Sequence, residues 1–526
     1  MSRLIRNSRT RALRRITACG AALVGMGVLV STAASAVSTT PLGYDAVNDA
    51  GSMQLIAKST GAQAMWNAGF TGKGIDVAVI DTGVARVPGL DQTGKVIDGV
   101  DVSFDSQTPA LAYNDGFGHG TIMASIIAGS DVAPGSKKSA FSDTSKFVGI
   151  APEARIINVK AGAADGAVDI SQVISAINWV TEHKNDNGMN IRVLNLSFGS
   201  DSPQPAAIDP LVFAAEAAWK KGIVVVASAG NDGLSKLYLA NPAASAVIIA
   251  VGASDTSGTS EITDDFVPQF AQHGTVVRPV DVIAPGDHVL GLKVPGSFID
   301  QSVTTGKVGT RFQRGSGTSQ SAAVVSGLAA LIVQKFPTAT PDQVKKILSD
   351  SALSIHPATG LLAGLYNSWY EGSGEANMSA VVLLKAAPAT DAASRWSDGS
   401  GSLDAARGSA RVVSNGVALM GEIDIMGRPW NPAAWVAATN AGTTWSGGTW
   451  NGAKWTGDGW LGAKWTGAKW TGADWSGTSW SGAKWTGVTW DGAKWTGAKW
   501  TGAKWTGAKW TDSSWSGAKW SDSDWS

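Results

Sequence analysis

Residues 37–387 predict an α/β fold, a mostly parallel sheet with helices on both faces. Short β-branched runs recur without polar alternation, as strands covered on both faces do. Between them lie amphipathic stretches with apolar residues three and four apart. The runs, in order, are "IDVAVID" (75–81), "ARIINVK" (154–160), "IRVLNLSF" (191–198), "GIVVVASAG" (222–230) and "AVIIAVGA" (246–253). The stretch 169–184 sets Ile170, Val173, Ile174, Ile177 and Val180 on one helical stripe. The stretch 209–222 ends on Lys220, Lys221 and Gly222, a basic last turn and then a glycine stop. In sheets of this kind, sites gather at the carboxyl ends of the strands.

The N-terminus reads as an export signal. Arg3, Arg6, Arg9, Arg11, Arg14 and Arg15 precede the apolar core "AALVGMGVLV" (21–30), and "AASA" (33–36) offers small residues for cleavage after Ala36. The apolar core is short for a span of ~20 residues. The mature chain is therefore expected to be secreted, with no membrane segment after cleavage; the general secretory and twin-arginine routes both stay open. Cys19 is the single cysteine and falls inside the signal, which excludes disulfides, thiolate catalysis and cysteine metal sites in residues 37–526. The formal net charge is zero, so no global basic field recommends nucleic acid as a partner.

Beyond the α/β region, residues 388–430 are rich in Ser, Gly and Ala. They read as a linker, with room for a short hairpin, that uncouples the α/β region from the C-terminal segment. From 431 to 526 the chain is a Trp-rich repeat. After Trp430 and Trp435, Trp stands at every fifth position from Trp445 to Trp525, with "AKWTG" as the unit.

The chemistry sits at strand ends and helix starts. "VAVIDTGV" closes a buried strand on Asp81; "GFGHGT" places His119 between glycines before a helical pattern; "ASAGNDG" ends a strand on Asn231; "GSGTSQSAAV" sets Ser319 at the start of a small-residue helix. Each alone has an ordinary structural use, as a turn or cap residue. Together they form an acyl-transfer set. A serine needs a base to become nucleophilic, an imidazole needs an acid to orient it, and a tetrahedral oxyanion needs donors.

In the order Asp81, His119, Asn231, Ser319, these stretches resemble the subtilisin-like serine protease (subtilase) family. "GKGIDVAVIDTGV", "GHGT", "VGIAPEARIINVK", "NPAASAVIIAVGASD" and "VDVIAPGDHVL" extend the resemblance over roughly residues 55–387. The resemblance implies a secreted serine endopeptidase. In it Asp81 orients His119, His119 is the general base and then acid, Ser319 attacks, and Asn231 holds the oxyanion. Two positions depart from the family pattern: Ile122 stands where a second histidine is usual, and Gln320 comes directly after the serine. Only about twenty residues separate Ala36 from the matching region, so a domain-sized propeptide is not expected. An esterase on an α/β-hydrolase fold is excluded by order, because there the serine precedes its acid and histidine.

The resemblance also implies a substrate pocket lined by Ser197, Phe198 and Gly199 and by Ser228, Ala229 and Gly230, with Ala240 near its floor. None is charged, so a large apolar residue before the scissile bond is expected in the protein or peptide substrate. Asn241-Pro242 falls where the family often has a cis proline. No cofactor is required. Calcium is frequent in the family but has no assignable ligands here; Asp98, Asp101 and Asp105 share one region, where loop acids are ordinarily solvated.

The five-residue Trp period matches neither helix nor strand. It resembles a pentapeptide-repeat β-helix; the alternatives are a flexible tail whose rings stack on the sugars of a cell-wall or other polysaccharide, and a low-complexity stretch without a fold. The second reading carries an alternative function, a surface-binding protein that uses the peptidase domain as a scaffold.

Overall fold

The computed structural model describes residues 41–303, 305–355, 369–391, 396–409, 411–414 and 417–446, together with 449–450, 453–454, 463–465, 473–476, 479–485 and 488–491 of the repeat. The expected export signal, 1–36, lies outside the described residues.

Seven parallel strands form the central sheet: β1 (Asp76–Asp81), β2 (Val96–Asp101), β3 (Arg155–Lys160), β4 (Ile191–Leu196), β5 (Val224–Ser228), β6 (Ile249–Ser254) and β7 (Val282–Pro285), in the order β2-β3-β1-β4-β5-β6-β7. All five sequence-predicted runs are among them. Every residue of β1, β5, β6 and β7 is buried, as unbroken apolar runs require. The chain builds outward from β1 to β2 and β3 on one side and to β4 onward on the other. The order reverses at β1 and β4, and the carboxyl ends of strands at such a reversal are where sheets of this kind carry their sites.

Helices flank this sheet. After α1 (Met53–Ser59) and α2 (Ala62–Ala68) come α3 (His119–Ala128), α4 (Ile170–Glu182), α5 (Pro210–Lys220), α6 (Phe298–Ser302), α7 (Thr318–Lys335) and α8 (Pro341–Ser351). Asp169 and Asp209 cap α4 and α5 through their carboxylates, and Pro210 occupies the first turn of α5. The long α7 is made of small and apolar residues, so it lies close along β4, β5, β6 and β7 and packs against α3. A smaller antiparallel sheet joins β8 (Val289–Leu292), β9 (Lys307–Val308) and β10 (Phe312–Gly315) in front of α7.

The stretch expected to be a linker is instead fastened to the α/β body. It contains α9 (Leu403–Ala406) and the hairpin of β11 (Val413–Ser414) and β12 (Val417–Ala418), and leads into α10 (Pro432–Ala441). Arg407, wholly buried, pairs with the Asp169 carboxylate at 2.7 Å. The Ser397 N–H donates to Glu216 of α5 at 2.6 Å. The physical reason lies on α4. Its apolar stripe faces the sheet as predicted, while Ser171, Ser175, Asn178 and Glu182 form a second, polar stripe on it. The Ile425 N–H donates to Ser171 Oγ at 2.8 Å, and the Trp445 indole N–H to the Ser175 carbonyl at 2.9 Å. The indole N–H groups of Trp435 and Trp450 share Asn178 Oδ1 at 3.1 and 3.2 Å, and the Thr444 N–H donates to Glu182 at 2.8 Å. Residues 397–450 thus form a strap along the whole of α4, and the first tryptophans of the repeat belong to the core.

Within the repeat, β13 (Trp445–Ser446), β14 (Thr449–Trp450) and β15 (Ala453–Lys454) pair antiparallel, as do β16 (Ala463–Trp465), β17 (Ala473–Ser476), β18 (Ser479–Trp485) and β19 (Val488–Asp491). A β-helix stacks its coils in parallel, so the described strands are not those of the expected β-helix.

Candidate active site

The carboxyl end of β1 presents Asp81, and the first residue of α3 presents His119. The imidazole Nδ1 lies 2.8 and 2.9 Å from the two Asp81 carboxylate oxygens, and both side chains are wholly buried. Burial pushes the Asp81 carboxyl up, while the facing imidazole and the Thr82 N–H, 2.7 Å away, hold it down. The short contact to Asp81 assigns the Nδ1 proton to this bond, which leaves the Nε2 lone pair to act as a base.

A second network fixes the turn that carries the histidine. Asp115 Oδ1 accepts from the Gly118 N–H at 2.7 Å and from the Thr82 hydroxyl at 2.8 Å, and its Oδ2 accepts from the Thr121 N–H at 2.8 Å. The Thr82 hydroxyl in turn accepts from the Gly120 N–H at 3.0 Å. The Thr82 carbonyl accepts from the buried Lys160 ammonium at 2.7 Å, and that ammonium pairs with Asp105 at 2.9 Å. Burial by itself lowers Lys160; Asp105, Asp101 and Asp115 outweigh it and hold the lysine charged. Sequence reasoning did not single out Thr82, Asp115 or Lys160. A lysine closing a strand whose residues are otherwise mostly apolar, and an acid four residues before the histidine, were the available signals.

Ser319 is the second residue of α7. Its hydroxyl lies 3.4 Å from the Ser197 carbonyl, and the Ser197 hydroxyl donates back to the Ser319 carbonyl at 3.1 Å. Next to it, Thr318 donates both its N–H and its hydroxyl to Asn231 Oδ1, each at 2.9 Å. Thr318 also accepts the Gly230 N–H at 3.1 Å. With Oδ1 occupied by two donors from the start of α7, the Asn231 amide is fixed in orientation and its NH2 group is the donor end. The helices that carry His119 and Ser319, α3 and α7, pack against each other.

The expected pocket residues also converge. Ser200 and Asn241 exchange backbone hydrogen bonds at 2.9 Å, and the Ala240 N–H reaches the Ala229 carbonyl at 2.9 Å. A Cβ at Gly199 would lie 2.7 Å from that of Ala240. Asn241-Pro242 is cis. Ser197, Ser228 and Ala229 are buried, and the Phe198 ring belongs to the core. The three acids expected on a solvated loop are not so placed: Asp98 and Asp101 lie in β2, and Asp105 in the turn that follows it. Asp98 pairs with Arg86, Asp101 accepts from Ser103 and Tyr113, and Asp105 pairs with Lys160. Among the described residues no group of three or more potential ligands is arranged to hold a metal ion.

A parallel α/β body with a buried aspartate–histidine pair at a strand end, and a serine at the start of the central helix, has the makings of a serine peptidase. The Subtilase family matches residues 72–397, and the chain belongs to that family. It is 36% identical over 287 residues to serine protease AprX of Bacillus subtilis, covering 53% of this chain and 62% of that one. It is 33% identical over 307 residues to subtilisin BL of Lederbergia lenta, covering 58% and 94%. A subtilisin DY of Bacillus licheniformis is 31% identical over 317 residues, covering 60% and 93%. The matched region is a serine endopeptidase.

Proposed function

We propose that the protein is a secreted endopeptidase that cleaves after large apolar residues through Asp81, His119 and Ser319. The observation that carries this reading is the buried Asp81–His119 pair, set beside a helix whose start is locked to Asn231. His119 Nε2 takes the Ser319 proton as Oγ attacks the scissile carbonyl. The imidazolium so formed is stabilised by Asp81. The carbonyl oxygen becomes an oxyanion, met by the Asn231 NH2 and by the N–H of Ser319 itself, at a helix start that favours negative charge. His119 then gives its proton to the leaving amine and the acyl-enzyme forms. Water, deprotonated by the same imidazole, releases the acid and restores Ser319. The uncharged surroundings of Ser228, Ala229, Gly230 and Ala240 support the preference for an apolar side chain. Among the described residues no helix is long and apolar enough to cross a membrane, and together with the N-terminal signal this supports export.

The test is Ser319→Ala. Turnover of casein falls by roughly four or more orders of magnitude, the fold by circular dichroism is unchanged, and labelling by a fluorophosphonate is lost. A labelled alanine variant would overturn the assignment. We further propose that the repeat beyond the strap tethers the enzyme to an insoluble polysaccharide through its indole rings.

A further inference from the structure

We propose that Arg407 is a positioning residue for the active site: from the strap it fixes Asp169, and through Asp169 the β3–α4 loop that backs the turn carrying His119. The inference rests on the peptidase reading and adds a residue to it that lies beyond the family match, which ends at 397.

The loop, residues 161–168, is buried throughout and has two anchors. At its start, the N–H groups of Ala161 and Gly162 donate to the carbonyl of Asp81 itself, at 2.8 and 3.1 Å. At its end, Asp169 caps α4. Asp169 Oδ1 accepts from the Ser171 N–H at 2.9 Å, and Gln172, which closes the capping box, donates onward to the Val102 carbonyl at 2.7 Å. The other side of that carboxylate is taken by the Arg407 Nε at 2.7 Å. The remaining guanidinium donors are spent on the carbonyls of Gly421 at 2.9 Å and Ile423 at 2.5 Å, on Asp404 of the strap at 3.4 Å and on Asp169 Oδ1 at 3.5 Å. Arg407 is thereby held by the strap and has no reason of its own to turn toward α4 except Asp169.

Between its anchors the loop presses on the histidine turn. A Cβ at Gly116 would stand 2.4 Å from that of Ala164, and a Cβ at Gly166 would stand 2.8 Å from the ring of Phe117. The Ala164 N–H donates to Asp105 at 2.7 Å, within the network that reaches Thr82. Gly116 and Phe117 lie directly before Gly118 and His119. A shift of the loop is therefore passed to the imidazole, while Ser319 and Asn231, held through α7, stay in place.

The experiment compares the whole protein with Arg407→Met and with Arg407→Met/Asp169→Asn. The double variant removes both charges, so that no lone carboxylate is left buried and folding is retained. Three quantities are read: the thermal midpoint, the rate of fluorophosphonate labelling together with kcat and KM on a peptide, and the downfield proton resonance of the His119 Nδ1–H. The expected result is a double variant with recovered thermal stability whose labelling rate and kcat stay roughly tenfold below wild type, as small misplacements of a catalytic group produce, with a shifted or broadened His119 resonance. A merely structural role predicts that activity and resonance recover together with stability, and that result overturns the inference. A wild-type protein that takes no label would instead sink the peptidase reading, and the His119 resonance would still decide the positioning.

Discussion

A Cβ at Gly120 would sit 2.2 Å from the Gly83 carbonyl oxygen and 3.0 Å from the Asp81 Cβ. The residue after His119 therefore has to be glycine, because the first turn of α3 runs in contact with the end of β1. Gly120→Ala is expected to push that turn away and to lengthen the contacts between His119 and Asp81. A displacement of this size costs about a hundredfold in kcat, with little change in circular dichroism. A variant with wild-type kcat would show that the close approach is not needed. The same intimacy explains Thr82, whose hydroxyl ties Asp115 to the Gly120 N–H and so joins the two sides of the contact.

Between elements, the edge of the central sheet beyond β7 carries a pair of carboxyls with one task. Glu375 extends the edge by bridging Ile283 and Leu353, and its carboxylate accepts the Ser254 hydroxyl at 2.6 Å. Asp265, in the loop that returns from Asp255, is buried with neither carboxylate oxygen meeting a donor in the described structure except by sharing a proton with Glu375. Burial, followed by Glu375, Asp264 and Asp255, pushes Asp265 up to about 10, and burial also raises Glu375, with Glu371 adding to it. In the unfolded chain both acids ionise near pH 4, whereas the folded pair keeps its proton. The folded state then binds more protons than the unfolded one, so stability is greatest below about pH 4 for this pair and is lost progressively as pH rises toward the raised value. Asp265→Asn supplies an N–H donor to Glu375 without a titrating proton. Its thermal midpoint is expected to fall less than that of wild type between about pH 6 and pH 9. Parallel slopes in the two proteins would refute the shared proton.

At the scale of the whole molecule, the strap makes the α/β body and the start of the repeat one folded unit. A chain ending near residue 390 loses the Arg407–Asp169 pair and exposes to water the face of α4 that the strap covers, together with apolar surface beneath Leu403, Ile425 and Trp435. A loss of about 3 kcal/mol, the scale of one or two buried apolar side chains, lowers the thermal midpoint by roughly 5–10 °C. A chain ending near residue 455 keeps the strap. It is expected to cleave small peptides as fast as the full protein and to lose retention on an insoluble polysaccharide. Equal stability of the shorter chain would contradict the strap, and equal retention of the longer one would remove the tethering role of the repeat.

The sequence by itself determined the parallel α/β class, the apolar stripe of α4, and the placing of Asp81 at a strand end and His119 at a helix start. These come from local rules: β-branched runs, helical stripes, and side chains that must stand at strand ends beside glycine. Only the tertiary structure decided what covers the polar stripe of α4, what partners Lys160 and Asp265, and that residues 397–450 are a strap. A polar face satisfied by a distant segment has the same residue pattern as one satisfied by water. Ser171, Asn178 and Glu182 read as solvated until Ile425, Trp435 and Thr444 are brought to them from more than two hundred residues away.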